Sequence, residues 1–296
     1  VNPLDTLTQI NLTDLTASFG WQNAPRLARA LQALFYTTAE KFARQMLAFD
    51  ALIGATDLPE ASRKTLLHFV RDVRVCGAEN IPEKNPVLFL SNHPGMTDTL
   101  SLFAAINRAD LRIIAIDRPF LRSLPNTSAH LFYISEDSTE RLHAVKQAAT
   151  HLRNGGALLT FPAGQIEPDP DVYPGAIDSL SRWTDSAGVF VRFAPATKIV
   201  PTLVRSVVWD KAANHPFTKL KKTREEREKL AAALQLLAHV MFNLRPVTVT
   251  VQFGKPIGVE AIGSKDVEKI HAAVLAEMRA LIQTTPKSGE SAIRDV

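Results

Sequence analysis

Residues 87–98, VLFLSNHPGMTD, decide how the chain is read. Four apolar residues and a serine run into Asn92-His93-Pro94-Gly95, and Asp98 follows five positions after His93. A short hydrophobic run that ends abruptly at Pro-Gly predicts a buried strand breaking into a tight turn, and Thr99 to Ile106 predicts a helix just beyond it. His93 then stands at the C-terminal tip of the strand and Asp98 in the first helical turn. Open α/β sheets usually place their chemistry at that rim.

The rest of the composition fits this reading. At 296 residues, with 46% hydrophobic and 22% charged, the chain can build one large α/β domain with an accessory element. Cys76 is the sole cysteine, which excludes an internal disulfide and a four-thiolate zinc site and suits a reducing compartment. No apolar run approaches the ~20 residues of a transmembrane helix, and the first residues do not have the layout of a signal peptide. The net charge of +4 is concentrated in the C-terminal third, with Lys219, Lys221, Lys222 and Arg224 clustered. Such a cluster reads either as a solvated loop or as a docking patch for an anionic partner. Only 3 Trp and 3 Tyr are available for base stacking and no nucleic-acid motif is present, so nucleic acid is not expected as a partner.

Residues 1–72 read as a helical element separate from the remainder of the chain. Leu27, Leu31, Leu34, Thr38, Phe42 and Phe49 recur at helical spacing, with Phe35 and Met46 beside them, and a second helix is expected from Leu58 through Val70. This element either packs on its own domain or lies in a lipid interface. Strands are then expected at 73–76, 87–90, 111–116, 131–134, 157–161, 199–204 and 247–253, the last at a sheet edge because its pattern alternates. Helices are expected near 99–107, 139–153, 176–183, 224–242 and 265–283, and the last dozen residues are expected to fray. The fold class is therefore α/β: a mixed, mostly parallel central sheet covered by helices, with an N-terminal helical element.

A histidine takes a proton from a hydroxyl near neutral pH when a carboxylate on its other ring nitrogen fixes the tautomer. On spacing alone, His93 and Asp98 read either as such a pair or as a loop histidine beside a helix cap. The chain lacks a Gly-x-Ser-x-Gly elbow, the glycine-rich dinucleotide and nucleotide loops, and zinc-ligand spacing of its histidines. A second informative stretch, residues 154–167, NGGALLTFPAGQIE, reads as a helix end, a buried strand and a Phe-Pro-Ala-Gly turn. On a parallel sheet that turn falls on the same rim as His93.

Together these pieces resemble the glycerolipid acyltransferase family, which includes glycerol-3-phosphate and lysophosphatidic acid acyltransferases. Val75 to Pro82 looks like the family's lead-in strand and turn. Asn92-His93-x4-Asp98 is similar to its first motif, Phe161-Pro162-x-Gly164 to its third and Ile199-Val200-Pro201 to its fourth. Gly254-Lys255-Pro256-Ile257 resembles the closing turn. The resemblance runs from about residue 73 to 258, with the pieces in family order. It implies that His93 is the general base toward an acceptor hydroxyl, that Asp98 orients it, and that the hydroxyl attacks an acyl-CoA or acyl carrier protein thioester. No cofactor or metal is implied. It further implies that Asn92, Gly95, Arg118, Glu136, Phe161, Pro162, Ala163, Gly164, Gln165 and Pro201 contribute to substrate binding.

Two departures bear on the acceptor. Ile116-Asp117-Arg118 looks like the family's second motif but comes too early, and at the expected position Glu136 stands where an arginine belongs. In the third motif Ala163 and Ile166 replace a glutamate and an arginine. Arginines are the natural bidentate clamps for phosphate, so an acceptor without a phosphate monoester is expected. A rearranged phosphate site built on Arg118 or Arg122 and a non-catalytic lipid- or acyl-binding protein remain as alternatives. The expected division is a helical element at 1–72, an acyltransferase domain at 73–258 and a C-terminal helix and tail at 259–296. The resemblance places the protein in phospholipid biosynthesis, peripheral at the cytoplasmic face of a membrane, with an acyl donor, a lipid acceptor and a membrane surface as partners. The sequence carries no signal for an oligomeric state.

Overall fold

The computed structural model describes residues 2–21, 23–135, 137–263, 266–286 and 289–293. Its centre is an eight-stranded sheet: β1 (Asp72–Cys76), β2 (Val87–Ser91), β3 (Arg112–Ile116), β4 (Leu131–Ile134), β5 (Ala157–Thr160), β6 (Lys198–Arg205), β7 (Thr248–Phe253) and β8 (Glu290–Ser291). The strand order is β4-β3-β5-β2-β6-β7-β1-β8. The first five in that order run parallel, and β7 turns back antiparallel to β6. β2 is central and buried along its whole length, which explains its unbroken apolar run: a strand covered on both faces has no solvent side to make polar.

The pleat divides β2 between two cores. Val87 and Phe89 face one with Val200, Val249 and Val251, whereas Leu88 and Leu90 face the other with Leu158, Ile199 and Leu203. The first core is roofed by helices Pro3–Phe19, Pro25–Ala55, Leu58–Leu66 and Met96–Ile106. Helices Ser138–Arg153, Ser186–Phe193 and Val267–Gln283 cover the second.

The N-terminal residues are therefore not separate from the sheet domain. Leu7, Phe42, Met46 and Phe49 share one core with Phe89 and Val249, because a 31-residue amphipathic helix can bury its stripe only against another element. That stripe is shorter than its spacing suggests: Leu27 and Leu34 are exposed, and continuous burial begins at Ala39.

Three other expectations are corrected. β7 lies inside the sheet, between β6 and β1. Its alternation reflects polar side chains that meet protein partners rather than water, such as Gln252, which accepts from Arg205. The tail does not simply fray: β8 pairs with β1, the Ala292 amide donates to Val73 and Ile293 is buried. The helix expected over 176–183 is one turn, Ala176–Ser179, followed by a 3-10 turn, Leu180–Arg182.

Candidate active site

The Asn92–Asp98 turn leaves the end of β2 and is fixed to the sheet by Asn92. Its side-chain amide donates to the Val204 carbonyl and its Oδ1 accepts from the Val204 amide, both at 2.8 Å. The side chain thus continues the β2–β6 ladder after the backbone has turned away. Each such bond contributes about 1 kcal/mol net, but losing one leaves a buried backbone group unpaired at a cost of about 1–3 kcal/mol. This geometry accounts for Asn92 as an anchor of the turn rather than a contact to substrate.

Beyond the turn, helix Met96–Ile106 carries Asp98 in its first turn, where the helix dipole favours a carboxylate. Asp98 is fully buried. Its Oδ2 accepts from the Gly95 amide at 2.9 Å and lies 2.8 Å from His93 Nδ1, and its Oδ1 accepts from the Thr99 hydroxyl at 2.9 Å. The cap and the His–Asp pair, alternatives in the sequence, are therefore made by the same carboxylate. Gly95 is extended, with φ 169°, so its role is its amide rather than a backbone angle closed to other residues.

A carboxylate facing Nδ1 requires the proton there, which leaves Nε2 with its lone pair. The His93 side chain is 31% exposed, so that nitrogen belongs to a group solvent can reach. Burial alone lowers the His93 pKa. The charge and hydrogen bond of Asp98 outweigh it, Glu167 adds to the rise and Arg118 opposes it, and the net value lies above the ordinary histidine value.

Phe161 completes the rim from the neighbouring strand end, its ring centroid 4.7 Å from that of His93. The turn after it is closed by the Gly164 amide donating to the Phe161 carbonyl, with Gly164 at φ +64°, a conformation glycine adopts without strain. Pro162 is buried, its carbonyl accepting from the Thr184 amide, while Ala163 and Gln165 are half-buried. The chain then passes directly behind the histidine, where the Glu167 amide donates to the His93 carbonyl at 2.9 Å.

Other candidates are placed differently. Arg118 is exposed, makes no side-chain hydrogen bond among the described residues, and is near enough for its charge to act on His93. Arg122 is held by Asp117 through two bonds of 2.9 and 2.8 Å and lies 3.8 Å over the Tyr133 ring. Pro201 is buried in β6 opposite Leu90, level with Thr160 at the end of β5, where its carbonyl accepts from the Gly254 amide. Glu136 lies outside the described residues. Among the described residues no cluster of histidine, cysteine and acidic side chains could hold a metal ion.

Residues 72–205, from the start of β1 to the end of β6, match the family model Acyltransferase. Over this stretch, 134 of the 296 residues, the chain is similar to that family. Among solved structures the chain is similar to the 1-acyl-sn-glycerophosphate (LPA) acyltransferase PlsC from Thermotoga maritima. The two are 17% identical with a TM-score of 0.44, and the match covers 93% of this chain and 97% of that one. No curated protein matches it.

Glu167 and its partners Ser179 and Trp183 are the part of the site that sequence reading does not assemble. The acid is visible after the Phe-Pro-Ala-Gly turn, but its burial and its two partners are not. They lie 12 and 16 residues further on, in a segment that the sequence reads only as a helix over 176–183.

Proposed function

We propose that this protein is an acyltransferase that moves a fatty acyl group from an acyl-CoA or acyl carrier protein thioester to a hydroxyl of a lipid or glycerol-type acceptor, with His93 as general base. The observation that carries the reading is the buried Asp98 carboxylate on His93 Nδ1, which leaves Nε2 free to accept a proton. As Nε2 takes the acceptor proton, the hydroxyl oxygen attacks the thioester carbonyl. The ester C–O bond forms, the C–S bond breaks, and the departing thiolate takes the proton back from the imidazolium. A thioester is already activated, so positioning and one proton transfer supply most of what the reaction requires. No protein nucleophile, metal or cofactor takes part in this scheme.

The acceptor we propose lacks a phosphate monoester. Ala163 and Gln165 offer no cation at the third motif, and the Arg122 guanidinium is already engaged by Asp117. Arg118 supports a second reading, a lysophosphatidate acyltransferase with a rearranged phosphate site, because its side chain is unbonded among the described residues and its charge acts on His93. Thiol release measured over glycerol 3-phosphate, lysophosphatidate and neutral or amine-bearing lyso-lipids separates the two. The first reading expects turnover on the lyso-lipids without a phosphate monoester to exceed that on the phosphorylated acceptors. Equal or greater activity on lysophosphatidate that is lost in Arg118→Ala establishes the second.

The membrane reading rests on the region around helix Pro216–Lys219. Phe217 and Leu220 are 53% and 78% exposed, beside the exposed Lys219 and Lys222. Lys221 is engaged by the Phe19 carbonyl and Arg224 by Glu228, so the docking charge falls to Lys219 and Lys222. No helix is long and apolar enough to cross a membrane among the described residues. Exposed apolar tips flanked by lysines suit peripheral attachment at the inner face of an anionic bilayer. Leu220→Glu with Phe217→Glu is expected to weaken co-sedimentation with anionic vesicles by at least about tenfold, and unchanged binding removes this face from the reading.

A further inference from the structure

Glu167 is a carboxylate that the proton-transfer scheme does not use, yet the fold has enclosed it. It is 1% exposed. Its amide holds the His93 carbonyl, and its Oε1 accepts from Trp183 Nε1 at 2.8 Å and from Ser179 Oγ at 2.9 Å. The Ser179 hydroxyl also lies 2.7 Å from the Ala176 carbonyl, so its one proton is shared and the indole N–H is the full donor. Oε2 is buried with no hydrogen-bond partner among the described residues. A solvent-poor carboxyl with an unpaired oxygen is costly to keep, and a loop that needed only an anchor could use the backbone bond alone.

We propose that Glu167 is a positioning residue for acyl transfer, holding the histidine turn against the Phe161–Gly164 loop and placing a second negative charge behind His93. This rests on His93 being the base. When Nε2 accepts the hydroxyl proton, the imidazolium has Asp98 at Nδ1, and the charge of Glu167, which also acts on the ring, adds to that of Asp98 in lowering the free energy of the species. The charged groups acting on His93 are Asp98, Glu167 and Arg118; those acting on Glu167 are His93 and Arg182, with Trp183 and Ser179 as donors. Burial holds the Glu167 pKa above the ordinary glutamate value, and the hydrogen bonds from Trp183 and Ser179, with the charges of Arg182 and His93, offset part of that rise in favour of the ionised form.

The Glu167→Gln variant keeps the shape of the side chain and removes its charge. The readout is the His93 ring C2–H resonance, assigned by its loss in His93→Ala and followed by NMR through a pH titration of the full chain. The expected result is a fall of about 0.5 pH unit in the His93 midpoint, with the acid limb of the rate profile moving by the same amount. If Glu167→Gln does not fold, Trp183→Phe provides the second measurement. It removes the indole donor, makes the carboxyl easier to protonate and is expected to move the His93 midpoint the same way. A folded variant with an unchanged midpoint overturns the proposal and leaves Glu167 as a loop anchor. Because the titration is read without turnover, it separates this outcome from a failure of His93 as the base, which leaves the midpoint shift intact and the rate unaffected by His93→Ala.

Discussion

His93→Ala is expected to lower the rate of thiol release from long-chain acyl-CoA in the presence of acceptor by about 10²–10⁴-fold, the usual contribution of a positioned general base. The loss falls on kcat rather than on KM, since the imidazole contributes to the proton transfer and not to holding the acyl chain. The fold is expected to survive. The side chain is 31% exposed, so its removal opens no large cavity, and Asp98 retains the Gly95 amide and the Thr99 hydroxyl as donors. A thermal melt within a few degrees of wild type, together with intact near-UV circular dichroism, establishes that the rate and not the fold has changed. Wild-type turnover in this variant refutes the general-base assignment. A wild-type protein that binds acyl-CoA but turns over no acceptor, with no dependence on His93, is the non-catalytic binding protein that the sequence left open. Product analysis distinguishes transfer from thioester hydrolysis, in which water takes the place of the acceptor hydroxyl.

How far the sequence reaches depends on how local the governing interaction is. The core strands are legible because burial on both faces imposes a one-dimensional signature, as in Val87–Leu90 and Ala157–Thr160. His93 and Asp98 are legible for a related reason: the turn and helix start that bring them together lie within six residues, so spacing nearly determines geometry. Asn92 shows where this stops. Its residue type suggests a polar contact at the rim, but both of its polar groups are used by Val204, 112 residues away, and no local pattern encodes that pairing. Arg122 differs from Asn92 in that its partner, Asp117, is only five residues away, and that pairing takes up a cation the motif alone leaves free. The edge placement of β7 failed because period-two alternation records where polar side chains go, not whether water or Arg205 receives them. The tail failed because β8 consists of two residues whose stability comes from β1 and from the buried Ile293, not from any propensity of its own.

Asp98→Asn is the more discriminating of the two large substitutions, because the carboxylate orients the imidazole and also charges its surroundings, and the variant separates these effects. An asparagine with its oxygen in place of Oδ2 still accepts from His93 Nδ1 and the Gly95 amide, and its amide can donate to the Thr99 hydroxyl. The tautomer and the ring position are then retained, and what disappears is a full negative charge in a site with no exposed surface. In the wild type the His93 pKa lies above its ordinary value, with Asp98 the largest cause of the rise. The base acts in its neutral form, so activity increases as pH climbs through that raised value, and the protonated, inactive imidazole dominates below it. Without the charge, burial dominates and the midpoint falls. The acid limb of kcat is therefore expected to shift to lower pH, and the alkaline plateau to drop by about 10²–10⁴-fold, because the imidazolium formed during transfer has lost its nearest counter-charge. A lower plateau with an unmoved limb would mean that the charge of Asp98 does not set the His93 midpoint and that asparagine fails to hold the ring as the carboxylate does. A moved limb with an unchanged plateau would mean that proton transfer to His93 is not rate-limiting, and that acyl transfer in this protein is controlled by substrate binding or product release at the rim.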